Sequence, residues 1–230
     1  MILCIETATG VCSVALCDDN SVISVLEAPA GMSHSSSLTV IIQQLLRDAS
    51  LTARQLEAVS VSKGPGSYTG LRIGVSVAKG IAYGAGIPLI GVNTLTAMCH
   101  GYLTANPLPE GSSTLLCPMI DARRMEVYNA LFTSDGIMVQ ETSADIITGL
   151  SYSDRLETEK IIFFGNGAGK CRSAITGANA VFDEEFSLSA SYLHKPSVNA
   201  LREKQFEDVA YFEPYYLKEF IATIPKKLFF

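Results

Sequence analysis

Two carboxylates stand where apolar segments end and turns begin, and they are the first candidates for chemistry in this sequence. Glu6 closes the apolar run that begins at Ile2, and Asp121 directly follows the run at 115–120. Carboxylates at such positions can hold a hydrated Mg²⁺ through oxygen ligands. An acid at the end of a strand can equally cap the turn that follows it. Both interpretations, a metal–phosphate site and turn capping, stay open at this point.

Small polar residues and glycines near these segments extend the candidate site. Thr7 and Thr9 follow Glu6, and a glycine-rich turn, GNGAG, follows the apolar run at 160–164. Backbone N–H groups in turns of this kind can bind phosphate oxygens. We predict that a nucleotide or phosphate cleft is formed by Glu6, Thr7, Thr9, Asp121, Gly165 and Gly167.

The glycine-rich turn does not match the two common nucleotide-binding motifs. The pattern G-x-x-x-x-G-K-[ST] fails because Phe164 stands at its first glycine and Cys171 follows Lys170. The pattern G-x-G-x-x-G fails because Lys170 stands at its last glycine. The turn therefore predicts a bend after a strand and no recognised nucleotide loop.

No other residue pattern predicts catalysis. His34, His100 and His194 are far apart in the sequence, and no histidine pair or His/Glu cluster has the spacing of a transition-metal site. The sequence also lacks a G-x-S-x-G motif and a cysteine with a sequence-local catalytic partner. We expect neither catalytic residues nor a metal site in this chain.

Size and composition narrow the class of protein. The chain has 230 residues, 48% of them hydrophobic, and a net charge of −6. Because the sequence has no cluster of Lys and Arg, we do not expect this chain to provide the main nucleic-acid-binding surface. No segment is long and apolar enough for a membrane span or a signal peptide. Its six cysteines include no C-x-x-C pair, which favours reduced thiols in the cytoplasm.

The elements that would position the two acids occur in two similar halves. Each half begins with three short apolar strands joined by turns, at 2–6, 12–17, 22–26, 115–120, 126–132 and 137–141. Further strands are expected at 58–62, 87–92 and 160–164. Helices are predicted near 36–50, 67–85, 94–103, 143–150 and 197–206. The stretch NPLPEGSS at 106–113 has the composition of a linker between the halves.

A duplicated unit with an acid after its first strand is the layout of actin-like ATPases and sugar kinases, in which two hairpins hold phosphate between two lobes. We therefore predict an α/β fold of this class (ASKHA, ribonuclease H-like), with a mixed five-stranded sheet and flanking helices in each lobe. Residues 1–105 form the N-terminal lobe and 114–230 a smaller C-terminal lobe. The helix near 197–206 and the aromatic tail are expected to pack back on the first lobe.

The helix at 67–85 has two apolar faces, whereas a helix packed only on its own sheet needs one. One face carries Leu71, Val75, Ala78 and Ala82; the other is lined by Ile73, Val77, Gly80 and Gly84. Each internal glycine costs a helix about 1 kcal/mol relative to alanine, so several of them need a packing reason. The second face is either sandwiched inside the chain's own lobe or covered by another polypeptide. We predict the latter.

Several stretches resemble the TsaB family, the TsaD-like (glycoprotease-like) proteins that serve as dimerisation subunits in bacterial tRNA threonylcarbamoyladenosine synthesis. They are ILCIETAT, SHSSSLTVIIQQLL, KGPGSYTGLRIGVSVAKGIAYGAGIPLIGVNTL, IDARRMEVYNALF and FEPYYLK. The resemblance covers essentially the whole chain. It implies the actin-like two-lobed fold of TsaD, which transfers the threonylcarbamoyl group to adenosine 37 of tRNAs that read ANN codons.

The resemblance also implies that this chain is not the catalyst. The metal-binding segment H-[ML]-E-G-H of the catalytic subunit falls on residues 94–98, where Thr94 and Met98 replace the two histidines. Neither side chain can substitute as an imidazole ligand. The implied role is a scaffold that binds and stabilises the catalytic subunit.

The family pairs through the helices at 36–50 and 67–85, with TsaD or with a second copy in isolation. The expected interface residues are Leu38, Ile41, Leu71, Ile73, Gly74, Val77, Gly80, Ile81 and Gly84. A TsaE-type ATPase is a further expected partner, and tRNA is reached only through the complex. The resemblance implies that this chain requires no cofactor and that ATP and Mg²⁺ are expected at the assembled complex.

Three alternatives remain. The first is an ATP-dependent small-molecule kinase that uses Glu6 and Asp121. The second is a metalloprotease, which the missing histidine pair disfavours. The third is a free-standing homodimer with its own binding role. All four functions predict a cytoplasmic protein without a membrane anchor.

Overall fold

The structure, a computed structural model, describes residues 1–29, 31–109 and 111–218. Its first five strands are β1 Ile2–Glu6, β2 Ser13–Cys17, β3 Val22–Glu27, β4 Ala58–Gly64 and β5 Leu89–Asn93. The other five are β6 Leu115–Asp121, β7 Glu126–Phe132, β8 Met138–Ile146, β9 Ile161–Phe164 and β10 Ala180–Asp183. The helices are α1 His34–Asp48, α2 Tyr68–Ala85, α3 Thr94–Ala105, α4 Ser153–Leu156, α5 Ala168–Cys171 and α6 His194–Arg202. Short 3₁₀ turns occur at Ala53–Gln55 and Ala190–Leu193.

The strands form two mixed sheets with the same topology. The first sheet has the order β3-β2-β1-β4-β5, and the second has the order β10-β9-β6-β7-β8. In each, the first three strands are antiparallel neighbours, and the later strands add in parallel to the other side of the first. Two five-stranded mixed sheets of equal topology confirm the predicted duplicated α/β architecture.

Helices cover both faces of the first sheet, because alternate residues along β1 and β4 point to opposite sides. Leu3 and Val59 pack with the apolar stripes of α1 and α2, including Leu38 and Val75. The opposite face packs against α3 and α6. The helices begin and end as capping rules require: Ser33 accepts a hydrogen bond from the Ser36 N–H at the start of α1. Gly86, at φ 70°, ends α2.

One apolar cluster joins the two sheets. Ala8 and Leu71 from the first lobe pack with Ile120 and Phe164 from the second, and α3 lies between them. A separate cluster fills the far side of the second sheet under α4 and α5. The lobes are thus in direct contact through buried side chains.

The C-terminal segment returns to the first lobe and then reaches the second. Glu207 pairs with Leu89 at the edge of β5, and Phe212 is buried in the core beside α1 and α2. Farther on, Lys218 forms an ion pair with Glu126 at the start of β7. The predicted packing of residues 219–230 lies outside the described residues.

One prediction for the second half is wrong, and one strand there was missed. Residues 143–150 are not a helix, since β8 continues to Ile146 and pairs Ser143 and Ala144 with Asn129 and Tyr128 of β7. The segment was predicted as a helix because it is polar. In the sheet, its Asp145 side chain accepts a hydrogen bond from Asn129 of the neighbouring strand. Strand β10 was not predicted.

Candidate partner surface and interlobe cleft

The C-terminal segment packs directly on the turn that leads into α2. Ser67 accepts a hydrogen bond from the Gly70 N–H at 3.2 Å and caps the helix. The Tyr215 N–H donates to the Lys63 carbonyl at 2.6 Å. A Cβ added at Gly64 would lie 2.5 Å from the Tyr215 carbonyl oxygen. The glycine-rich turn therefore accommodates the C-terminal segment.

The early glycines of α2 allow it to pack against the turn after β1. A Cβ on Gly70 would lie 2.1 Å from the Thr7 carbonyl oxygen, and one on Gly74 would lie 2.2 Å from Thr7 Oγ1. Side chains at these positions would clash with the backbone and side chain of that turn. Gly74 thus belongs to a close intrachain contact.

Four of the nine predicted interface residues are buried within this chain. Leu38 and Ile41 lie in the core between α1 and the sheet, Leu71 lies in the cluster between the lobes, and Gly74 meets Thr7. The prediction of an exposed contact is corrected for these four, because each points to the sheet or to the neighbouring lobe.

The other five lie at or near the outer surface of α2. Ile73, Val77 and Ile81 are half-buried, with one side against the core. Gly80 and Gly84 are exposed, and a Cβ added at either would meet no atom within 4 Å. This arrangement leaves a shallow, glycine-lined strip along the helix.

Two exposed side chains, one on α2 and one on α1, were missed by sequence reasoning. Tyr83 of α2 is 84% exposed and Val40 of α1 is 58% exposed. Val40 lies outside the regular apolar stripe of α1, and such an off-stripe apolar residue was the signal available. We define the helix surface as the α2 residues Ile73, Val77, Gly80, Ile81, Tyr83 and Gly84.

Glu6 does not face a cleft. Its carboxylate is fully buried, accepts a hydrogen bond from the Ala8 N–H at 2.6 Å, and accepts another from the Ser62 hydroxyl. Burial raises the pKa of Glu6 to about 7, although these hydrogen bonds lower it in part. Thr7 is buried as well, and its hydroxyl oxygen has no hydrogen-bond partner among the residues that the structure describes. The capping interpretation thus describes Glu6, and the cleft prediction is corrected for Glu6 and Thr7.

Asp121 is engaged by a lysine. Lys170 forms an ion pair with its carboxylate and also donates to the Glu126 carbonyl at 2.6 Å. Partial burial raises the pKa of Asp121, but the bonds from Lys170 and from the Arg123 N–H outweigh it and hold the pKa below its usual value. The two acids therefore have separate partners: Ser62 for Glu6, and Lys170 for Asp121.

A cavity of about 240 Å³ lies between the lobes. Two predicted residues, Thr9 and Gly165, line it together with Met98 and Phe186. Its other lining residues are Gly10, Val11, Asn166, Ser187 and Leu188. Among the described residues, no charged side chain lines this cavity, so it offers little to bind a triphosphate.

The glycines of the GNGAG turn serve packing. A Cβ on Gly165 would lie 2.4 Å from Met98 Cε, and one on Gly167 would lie 2.8 Å from the Ile120 carbonyl carbon. Both glycines let the turn lie directly on β6 and α3. Gly167 is therefore placed outside the cavity, under the hairpin that carries Asp121.

The positions of the paralogue's metal histidines do not fit a metal ion. Thr94 and Met98 are both buried, and within the described part of the chain the Thr94 hydroxyl oxygen lacks a hydrogen-bond partner. A hydroxyl and a thioether are poor substitutes for two imidazoles. Within 1–29, 31–109 and 111–218, no group of three or more His, Cys, Asp or Glu side chains could hold a metal.

The chain is similar in sequence to known proteins. A family profile described as TsaD, tRNA N6-adenosine threonylcarbamoyltransferase, matches residues 27–224. The tRNA threonylcarbamoyladenosine biosynthesis protein TsaB of Escherichia coli is 38% identical over 134 residues, which are 58% of this chain and 55% of that protein. The protein of the same name from Bacillus subtilis is 29% identical over 226 residues, with 94% and 93% covered. The match thus spans about half of the first relative and nearly all of the second.

Two solved structures are similar in fold. One is an uncharacterized Pseudomonas aeruginosa protein with similarity to peptidase YeaZ, with a TM-score of 0.80, 21% identity, and 94% of this chain and 99% of that chain covered. The other is the activator of the 2-hydroxyisocaproyl-CoA dehydratase from Clostridium difficile with bound ADPNP, with a TM-score of 0.50, 7% identity, and 89% and 96% covered. These similarities confirm the ASKHA fold. In the part of the chain that the structure describes, we find no helix with the length and apolar character to span a bilayer.

Proposed function

The chain belongs to the TsaD family of tRNA N6-adenosine threonylcarbamoyltransferases, whose profile matches residues 27–224, and we propose that it is a non-catalytic subunit in tRNA threonylcarbamoyladenosine synthesis. In this role it binds a TsaD-type catalytic subunit, and a second copy of itself when that subunit is missing. A TsaE-type ATPase, ATP and Mg²⁺ act at the assembled complex, in the cytoplasm.

The observation that carries this proposal is the helix surface. Gly80 and Gly84 leave open space along α2 where another helix can approach closely, and Tyr83 offers a large exposed ring beside them. Tyrosine is enriched at interfaces because it buries much area for few rotatable bonds. A family member of the same fold presents an equivalent pair of helices, so its α1 and α2 are the proposed occupants.

Two features support a non-catalytic role. The buried Thr94 and Met98 replace the two histidines of the catalytic paralogue's metal segment and offer no imidazole in their place. The interlobe cavity has no charged lining among the described residues, and the acids of the kinase alternative are engaged elsewhere. Neither the kinase nor the metalloprotease alternative is favoured by these residues.

The test uses Gly80→Arg, which places a long charged side chain in the middle of the helix surface. Because the site is open and arginine favours helix more than glycine, the variant should fold with an unchanged or higher Tm. Co-purification with the TsaD-type subunit of the same cell, and threonylcarbamoyl transfer to tRNA by the mixture, should be lost.

Gly149→Arg is the matched control, since Gly149 is exposed in the second lobe and an added Cβ would have only the Ala174 oxygen, at 4.0 Å. It should leave both measurements unchanged. Full transfer activity with folded Gly80→Arg protein would refute the interface. Full transfer activity by the TsaD-type subunit without this chain would refute the subunit role.

A further inference from the structure

The hairpin between β6 and β7 presents two adjacent arginines in an unfavourable backbone conformation. Arg123 and Arg124 have φ values of 74° and 50°. This left-handed region is disfavoured for residues with a Cβ and is usually occupied by glycine or asparagine. Both side chains are exposed. In the part of the chain that the structure describes, neither guanidinium forms an ion pair or a hydrogen bond.

The tip of this hairpin is held from several sides. The Arg123 N–H donates to the Asp121 carboxylate at 2.8 Å, and the Glu126 N–H donates to the Arg123 carbonyl at 3.1 Å. The Asp121 N–H donates to Asn166 Oδ1 at 3.1 Å, and Lys170 bonds to both strands of the hairpin. The two arginines are therefore displayed outward on a supported turn.

Arg72 and Tyr68 of α2, with Tyr216 of the C-terminal segment, place a further cation and two aromatic rings where that segment leaves α2. Arg72 Nε donates to the Tyr216 hydroxyl at 3.2 Å, and its guanidinium lies 4.3 Å from the centre of the Tyr68 ring. The rings of Tyr68 and Tyr216 are 4.9 Å apart. Two residues later, Lys218 pairs with Glu126 of the hairpin. Two residues of extended chain span at most about 7 Å between Cα atoms, so the chain that carries Tyr216 continues directly to the hairpin, which it meets at Glu126.

We propose that Arg72, Arg123, Arg124 and Lys218, with Tyr68 and Tyr216, form a binding surface for an RNA strand. The arginines contact backbone phosphates, and the tyrosines offer ring surface to an unstacked base. This inference rests on the proposed function, because that function supplies tRNA as the substrate of the assembled complex.

The chemistry favours RNA over an acidic protein partner. Guanidinium groups bind phosphate in a bidentate manner, and paired aromatic rings beside them match the stacking that single-stranded nucleic acid requires. The whole chain has a net charge of −6, but Asp121 and Glu126, the carboxylates of the hairpin, are paired with Lys170 and Lys218. Glu213 interacts with Arg72, which leaves Arg123 and Arg124 as the cations without a carboxylate partner among the described residues. The members of the surface come from three separate segments, so no basic cluster appears in the sequence.

The experiment measures binding of a labelled tRNA transcript that reads an ANN codon to the complex with the TsaD-type subunit, over a series of salt concentrations. Arg123→Gly and Arg124→Gly should each raise the Kd roughly threefold to tenfold and reduce the slope of log K against log salt by about 1. Because glycine suits the left-handed backbone, the Tm of both variants should be unchanged or higher. Loss of binding with gain of stability distinguishes a contact role from a structural one.

Lys204→Gly is the matched control. Lys204 is an exposed cation with φ 56° at the end of α6, so the change removes the same charge and relieves the same conformation elsewhere. It should leave tRNA binding unchanged.

Unaltered tRNA affinity and salt slope in both arginine variants would overturn the proposal while leaving the subunit role intact. Loss of co-purification with the TsaD-type subunit in these variants would assign the surface to a protein partner and also overturn it. If the wild-type chain does not co-purify at all, the proposed function fails, and tRNA titration of this chain alone still decides the RNA surface.

Discussion

Glu6 ends the central strand of the first sheet with a carboxyl group that has no access to water. Desolvation disfavours its charged form, and hydrogen bonds from Ser62, Ala8 and Thr7 compensate only in part, which leaves the pKa of Glu6 at about 7. The group therefore changes its charge near neutral pH while serving as the cap of the turn at Thr7. Ionisation of Glu6 is therefore expected to change the free energy of unfolding.

This pKa predicts a pH dependence with a definite sign. Between the ordinary value of 4.5 and about 7 the folded chain keeps a proton that the unfolded chain releases. The free energy of unfolding should therefore fall as pH rises through this window, by about 3 kcal/mol at most, and then stay level. Urea titrations from pH 4.5 to 8 measure it.

Glu6→Gln is the test of that assignment, since glutamine keeps the shape and can bond to Ser62 and to the Ala8 N–H. In the variant, the free energy of unfolding should no longer fall between pH 4.5 and 7, and the variant should be more stable than the parent above pH 7. His100, whose pKa is lowered by burial, contributes equally to both proteins and cancels in the difference. Identical pH profiles would show that the pKa of Glu6 is the same in the folded and the unfolded chain.

For the two carboxylates, the sequence predicted their position in the chain but not their burial or their partners. Their positions at strand ends are evident from the pattern of apolar runs, but burial and pairing depend on distant residues. Ser62 is 56 positions from Glu6, and Lys170 is 49 positions from Asp121. The choice between cleft and cap is therefore made by tertiary contacts.

At the scale of elements, α2 combines two kinds of glycine in one helix. Gly74 meets Thr7 Oγ1 and has no room for a methyl group, whereas Gly80 faces open space. The first position is fixed by packing against the turn after β1. A glycine at the second position lowers helix propensity, and no contact with the described residues compensates for it.

Alanine at these two positions should therefore act in opposite directions. Gly74→Ala forces Thr7 to move and should destabilise the protein by about 1–3 kcal/mol, as overpacked core sites do. Gly80→Ala should stabilise it by up to about 1 kcal/mol through helix propensity. Thermal unfolding of both variants, followed by circular dichroism, measures the difference. Destabilisation by Gly80→Ala would place that face inside the chain's own core.

Element prediction succeeded where periodicity is strong and failed where polar residues pair across strands. The stripe of α1 and the buried run of β4 were readable because each repeats with its own period. Strand β8 carries Ser143 and Asp145, and the Asp145 carboxylate accepts from both Ser143 and Asn129 of the neighbouring strand. Such a partnership exists only in the folded sheet, so residues 143–150 resembled a polar helix.

At the scale of the whole molecule, the apolar cluster between the lobes decides how they behave together. Ala8, Leu71 and Ile120 are almost fully buried in it. Separation of the lobes would expose these side chains to water, at about 25 cal/mol for each Å² of apolar surface. The two lobes should therefore unfold as one cooperative unit.

Leu71→Ala tests this unity. It removes a buried side chain from the shared cluster and should lower stability by about 2–5 kcal/mol. Far-UV circular dichroism and tyrosine fluorescence should still report one coincident transition. Ile175, by comparison, lies in the cluster confined to the second lobe. Ile175→Ala should move the same single transition to lower stability. Two separated transitions in either variant would show that the lobes are independent.

The return of the C-terminal segment has a consequence for biosynthesis. The first lobe emerges first from the ribosome, yet its core includes Val198 and Phe212. At roughly 5–20 residues per second, the nascent first sheet waits several seconds or more for these side chains while the second lobe is made. During that interval part of its apolar surface is open to chaperones, and the half of the protein that is translated first is the last to be completed.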